Sequence, residues 1–164
     1  SVYDGSTAAA EAITAAHRVH NRKAKQQDVV YVSELTPPSR MSVIRNYTQG
    51  GGIEIRTLAH NSDGTLDLTA AEKAAGACGV YVEQPNPLGL LDGGLVQLKE
   101  IIGESTALIV GVQPTSLGIV ECPGEYGADI VVGEGQPFGS PITCGGPIYG
   151  IFACRDTYLR QMPG

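Results

Sequence analysis

Positive charge is scarce in this chain: 11 Lys and Arg stand against 17 Asp and Glu in 164 residues, a formal net charge of −6. That balance does not supply the basic surface a phosphate backbone needs, so no nucleic-acid partner is expected. No apolar run approaches the roughly 20 residues that cross a bilayer, so no membrane segment is expected either. The opening Ser1-Val2-Tyr3-Asp4-Gly5 has neither a basic start nor an apolar stretch, and no secretory leader is read there. No Cys-x-x-Cys pair occurs among Cys78, Cys122, Cys144 and Cys154, which argues against a zinc knuckle or a thioredoxin-type motif. Each cysteine sits among apolar or small residues and is read as a reduced, buried, inert thiol, in keeping with a reducing, cytoplasmic compartment. Glycine (22) and proline (10) make up about a fifth of the chain without a three-residue period. Collagen is excluded, and tight turns between short elements are expected.

What the chain does have is a 42% hydrophobic composition, enough for one packed core at this length. No linker or low-complexity stretch divides it. It lacks a starting Met and stops at Arg160-Gln161-Met162-Pro163-Gly164 with no closing element. Residues 1–164 are therefore read as one α/β unit cut from a larger domain.

Apolar periodicity predicts alternating helices and strands. Ala8 to His20 is an alanine-rich helix behind Asp4, Ser6 and Thr7, all good capping residues. Asp28 to Glu34 is a β-branched strand, and Pro37 and Pro38 open a helix through about Tyr47. Ile53 to Leu58 alternates as a strand does, and Asp63-Gly64 makes a turn. Thr69-Ala-Ala-Glu72 reads as a capping box for a short helix ending at Gly76. Val80–Val82, Ala107–Val112 and Asp129–Val132 are further strands, Leu95–Ile102 is a helix, and Ile151–Cys154 is a last strand. Helices between apolar strands imply a mainly parallel sheet in a three-layer α/β/α arrangement. Ligands then bind beyond the carboxyl ends of the strands, in the loops holding Gln84 and Asn86, Thr115 and Ser116, and Gly133 to Gln136.

The candidate motifs mostly favour plain readings. Gly133-x-Gly135-x-x-x-Gly139 is one residue too long for a dinucleotide fingerprint, lies late in the chain, and carries Pro137 where a helix should open. His17 and His20 have metal-compatible spacing but no clear third ligand, and Arg18, Arg22, Lys23 and Lys25 crowd that helix end as dipole-offsetting cations. No Gly-x-Ser-x-Gly elbow exists, so Ser116 and Ser140 are read as turn residues. Ser6 and Thr7 could cradle a phosphate at a helix N-terminus, although simple capping is the preferred reading.

Several segments together resemble the glycine cleavage system P-protein family, glycine dehydrogenase (decarboxylating), in its N-terminal or subunit-1 half. They are Tyr3-Asp-Gly-Ser-Thr-Ala-Ala-Ala-Glu-Ala12, Val32-Ser-Glu-Leu35, Gln84-Pro-Asn86, Gly124-Glu-Tyr-Gly-Ala-Asp-Ile-Val-Val-Gly-Glu-Gly-Gln-Pro-Phe-Gly139, Cys144-Gly-Gly-Pro-Ile-Tyr-Gly150 and Leu159-Arg-Gln-Met-Pro-Gly164. The resemblance runs end to end and is most specific from Gly124 to Gly150. It implies a fold-type-I, PLP-transferase-like large domain. It also implies a role in decarboxylating glycine and passing the aminomethyl group to the lipoyl arm of H-protein.

Catalytic members of that fold carry a lysine that forms a Schiff base with pyridoxal phosphate. By the resemblance, Gln136 stands at that position, and an amide cannot replace the amine because its nitrogen lone pair is delocalised. Gln113 stands where catalytic members place an acidic residue against the pyridinium nitrogen. The implied chain therefore has no catalytic or cofactor-binding residue of its own. The cofactor, pyridoxal 5′-phosphate, belongs to a partner, glycine dehydrogenase subunit 2. Ser6, Thr7, Gln84, Asn86, Gln113, Thr115, Ser116, Gln136, Phe138, Gly145 and Gly146 are expected at the substrate channel or subunit interface. The competing readings are a stand-alone fold-type-I enzyme, opposed by the missing lysine, and a small flavodoxin-like binding module. An apolar surface left exposed in this chain alone is a further expectation.

Overall fold

The computed structural model describes residues 1–23 and 28–163. In chain order the elements are α1 (Gly5–Lys23), β1 (Val29–Ser33), α2 (Pro38–Gln49), β2 (Glu54–Leu58), α3 (Leu68–Ala71), β3 (Gly79–Gln84), α4 (Leu95–Ile102), β4 (Ala107–Val112), β5 (Ile130–Glu134) and β6 (Gly150–Cys154). Short 3-10 turns cover Glu72–Ala74, Pro114–Gly118, Gln136–Phe138 and Asp156–Gln161. The six strands form one sheet in the order β2-β1-β3-β4-β5-β6. All neighbours are parallel except β6, which runs antiparallel to β5.

Burial follows directly from strand alternation. All six residues of β4 are buried, as a strand covered on both faces requires. Ala107 and Ile109 join Val30, Val32, Tyr81, Ile130 and Val132 in the core beneath α1 and α2. Leu108, Val110 and Val112 join Val80, Val82, Leu95, Leu98 and Ile102 in the core beneath α4. The alanines of α1 set its depth: Ala8, Ala9, Ala10, Ala12, Ala15 and Ala16 are essentially inaccessible. Side chains that small let the helix axis approach the sheet closely, and Ala16 Cβ would lie 3.5 Å from a Cβ built on Gly79 of β3.

Three expectations need correction. The short helix α3 is capped by Asp67, whose Oδ1 accepts from Ala70 N at 3.0 Å, so Thr69 lies inside it and no Thr69–Glu72 box forms. Asp67 is an equally good cap two residues earlier and wins by position. The cysteines are not uniformly buried: Cys78 is, while Cys122 and Cys144 are exposed and Cys154 is half-buried. Cys122 and Cys144 lie in irregular connections, where apolar sequence neighbours do not translate into a buried face. Burial pushes the Cys78 thiol up to about 11, so it stays protonated. Lastly, α1 is capped neither by Ser6 nor by Thr7 but by Asp4, whose Oδ1 accepts from Thr7 N at 2.6 Å. At the other end of α1, His17 Nε2 lies 2.7 Å from Asp28 Oδ1 and 2.8 Å from Asn21 Nδ2. Among the described residues, no group of three or more His, Cys, Asp or Glu is placed to hold a metal ion. Lys25 lies outside the described residues. Among the described residues no helix is long and apolar enough to cross a membrane.

Candidate functional site at the carboxyl edge of the sheet

Because β3, β4 and β5 are parallel, their last residues Gln84, Val112 and Glu134 reach the same edge, and the amino end of α1 meets them there. A cavity of about 420 Å³ opens between them. Its walls include Gly5, Arg40, Tyr81, Glu83, Gln113 and Glu134, with Gly111 and Gly133 on adjacent strands beneath.

One wall is an ion-paired triad. Arg40 comes from the first turn of α2, which Pro37 and Pro38 start beside the sheet. Its Nη1 lies 2.7 Å from Glu83 Oε2, and the Tyr81 hydroxyl donates to Glu83 Oε1 at 3.2 Å. Tyr81 and Glu83 are two apart on β3, so both side chains leave the same face. Burial opposes charge on Arg40, but the oxygens of Tyr81 and Glu83 outweigh it, and the guanidinium stays protonated well above its usual range. Burial pushes the Tyr81 phenol far up, so it serves as a neutral donor. The triad depends on Gly111. A Cβ there would stand 2.5 Å from the Tyr81 hydroxyl oxygen. Gly111→Ala is therefore expected to destabilise the chain by about 1–3 kcal/mol, as overpacking does. In a Tyr81→Phe background the added cost should shrink to below about 1 kcal/mol, because the clashing atom is gone. Urea unfolding of the four proteins in this cycle measures it; equal penalties in both backgrounds would refute the packing account.

The opposite wall is Glu134, the last residue of β5. Its Oε2 accepts from Gly5 N at 2.9 Å, and its Oε1 accepts from Gln136 N at 3.1 Å and Tyr149 N at 3.2 Å. One carboxylate thus joins the start of α1, the turn after β5 and the approach to β6. The Tyr149 ring packs on Gly135, where an added Cβ would overlap it.

The expected residues divide into three groups. Asn86 and Gln113 line the cavity. Asn86 is buried and both its amide atoms are engaged: Nδ2 donates to Gly64 O at 2.9 Å, and Oδ1 accepts from Leu88 N and Leu90 N. Gln113 Oε1 accepts from Thr115 N at 2.7 Å and Thr115 Oγ1 at 2.6 Å, while Ser116 Oγ donates to Gln113 O. A second group, on the β5–β6 connection and at the start of α1, is not among the residues lining the cavity. Gln136 Nε2 donates to Ser140 O at 2.7 Å, Phe138 is 61% exposed, and Gly145 and Gly146 both have positive φ. Ser6 and Thr7 lie in the first turn of α1. A third position turns elsewhere: Gln84 is clamped to the backbone of Asp92 through both its amide atoms.

Sequence reasoning missed Arg40, Tyr81 and Glu83, and it marked the loop holding Glu134 without singling that residue out. The available signal was a strand that turns polar at its end, with Tyr81 and Glu83 on one face. The glycines flanking Glu134 drew attention away from the residue between them.

Among the described residues, no lysine lines the cavity. Lys99 is held by Asp129 at 2.8 Å and by Thr106 O at 3.0 Å, where β4 and β5 begin, at the far edge of the sheet. Lys73 lies in the 3-10 turn after α3.

The whole chain, residues 1–164, matches the family model described as glycine cleavage system P-protein. It is 48% identical to a probable glycine dehydrogenase (decarboxylating) subunit 1 from Pyrococcus abyssi, over all of this chain and 37% of that protein. The chain therefore spans little more than a third of the length of the curated relatives it matches. A crystal structure of glycine decarboxylase (P-protein) of the glycine cleavage system, in inhibitor-bound form, superposes with a TM-score of 0.86. It is 36% identical and covers 100% of this chain and 36% of its own. An apo cysteine desulfurase from Thermococcus onnurineus, 22% identical with a TM-score of 0.71, covers 98% of this chain and 38% of its own, and shares the fold alone. The parallel sheet with its antiparallel last strand is that of fold-type-I PLP-dependent enzymes, and with the sequence matched over its full length the chain belongs to the glycine cleavage system P-protein family.

Proposed function

We propose that this chain is part of the large domain of glycine decarboxylase subunit 1, the half that does not anchor the cofactor. Subunit 2 carries the lysine and the pyridoxal phosphate, which supplies the electron sink for decarboxylation when bound. The carboxyl-edge loops of this chain wall one side of the channel through which glycine and the lipoyl arm of H-protein reach that site. The setting is glycine breakdown in the cytoplasm.

The observation that carries this reading is Gln136. It stands just past the end of β5 and donates its Nε2 to Ser140 O, an amide whose nitrogen has no free lone pair with which to attack an aldehyde carbon. Exposed apolar side chains support the interface role. Leu88, Leu91, Ile119, Phe138, Ile142 and Ile148 are all exposed, and all lie on connections that leave the carboxyl ends of β3, β4 and β5. Apolar side chains left on these connections are available to a covering subunit, provided they form one contiguous patch.

The test uses two glycines of the β5–β6 connection in the full-length subunit. Gly145 has φ +100° with open space around it, and Gly146 has φ +66° with an added Cβ 2.8 Å from Pro141 O. Valine at either position forces this connection out of shape at a local cost of about 1–2 kcal/mol while leaving the sheet intact. Gly146→Val should remain folded by circular dichroism yet lose co-purification with subunit 2, or lose glycine turnover by at least about tenfold. Gly145→Val should act in the same direction. Folded variants with unchanged assembly and turnover would remove this segment from the functional surface.

A further inference from the structure

We infer that Glu134 closes the cavity of this chain to the phosphate of a pyridoxal cofactor, by keeping its own carboxylate on the donors that would receive an anion. The inference deepens the reading of this chain as the half without cofactor, and it concerns a different bond from the one Gln136 rules out.

Within the cavity, the amino end of α1 is the natural seat for an anion, because backbone N–H groups and the helix dipole converge there. In this chain two N–H groups of that seat already serve carboxylates. Gly5 N donates to Glu134 Oε2 at 2.9 Å, and Thr7 N donates to the capping Asp4 carboxylate at 2.6 Å. The approach leaves no slack: a Cβ on Gly5 would stand 3.0 Å from Glu134 N, so the helix start and the strand end already touch. The carboxylate is also fixed from behind, by Gln136 N and Tyr149 N on its other oxygen.

The charge count points the same way. Among the described lining residues, Arg40 is the one cation, and its Nη1 lies on Glu83 at 2.7 Å, while its buried Nε has no hydrogen-bond partner. Glu83 and Glu134 leave the cavity with more negative than positive side chains. A dianionic phosphate would have to displace a carboxylate bound by three N–H groups and then sit beside the remaining acids. Like charges at that range repel strongly when partly shielded from water. The residues present therefore do not fit the phosphate, just as Gln136 does not fit the aldehyde.

The test measures binding without covalent trapping, in the full-length subunit and in its Glu134→Ala and Glu134→Gln variants. The probes are inorganic phosphate by calorimetry, and pyridoxal phosphate and phosphate-free pyridoxal by ultrafiltration. The expected result is no phosphate binding by the unmodified protein at millimolar concentration, and at least a tenfold gain in affinity for phosphate in Glu134→Ala. Glu134→Gln, which keeps an acceptor for Gly5 N but loses the charge, should gain less. Pyridoxal should bind the three proteins alike. Should the alanine protein fail to fold, the glutamine protein carries the comparison. Phosphate binding to the unmodified chain as tight as to a folded variant would overturn the inference, and so would no gain in either variant. Neither outcome touches the covalent reading, which a separate borohydride experiment decides.

Discussion

Asp129→Ala is expected to cost about 3–5 kcal/mol of folding stability, the range seen when one partner of a buried ion pair is removed. Lys99 is 10% exposed at its side chain and Asp129 is 13% exposed, with Nζ and Oδ2 2.8 Å apart. The same Oδ2 accepts from Leu108 N at 2.9 Å, so the carboxylate also finishes the amino end of β4. Deleting it leaves a buried ammonium with only Thr106 O at hydrogen-bond distance and removes the acceptor of Leu108 N as well. The remaining anion near Lys99 is Glu104, at 3.9 Å and 95% exposed, where water screens most of its attraction. Arg155 stands 4.0 Å from Asp129 Oδ1 and is held by Ala128 O and Gly124 O, so it keeps its own partners. Asp129→Asn should cost less than alanine, since an amide oxygen can still serve Leu108 N. Combining Asp129→Ala with Lys99→Met should recover part of the loss, because the stranded charge is removed and its volume kept. Urea unfolding of these four proteins reads the series. A loss below about 1 kcal/mol for Asp129→Ala would show that the pair is effectively solvated.

Some elements were legible from sequence because their signal is local. Ala107–Val112 is a continuous apolar run between Thr106 and Gln113, and the strand occupies those six residues. Leu95–Ile102 lies between Gly94 and Gly103 and forms a helix over those bounds. The mainly parallel sheet followed from alternation alone, and the carboxyl edge followed from the sheet. The polar wall of the cavity was not legible, because it depends on which distant elements meet. Arg40 reaches Glu83 because α2 packs on the same face of the sheet as Tyr81, and β1 has β2 on one edge and β3 on the other. Glu134 meets Gly5 across 129 residues of chain, a contact no window of sequence contains. The same holds for the exposed cysteines, whose surroundings are set by the course of a loop.

The central proposal is that, among the described residues, this chain presents no group able to hold pyridoxal phosphate covalently, and its expected effect is all or none. A Schiff base needs a free amine close to the aldehyde. Gln136 offers an amide already committed to Ser140 O. Lys99 is pinned to Asp129 at the opposite edge of the sheet, and Lys73 sits in the turn after α3, away from the cavity. The most direct measurement is borohydride reduction of the assembled two-subunit enzyme in the presence of pyridoxal phosphate, followed by peptide mapping of both chains. The account predicts one pyridoxyl group per pair, on a lysine of subunit 2, and none on Lys23, Lys25, Lys73 or Lys99 of this chain. Stoichiometric pyridoxyl on any one of those four lysines would contradict it.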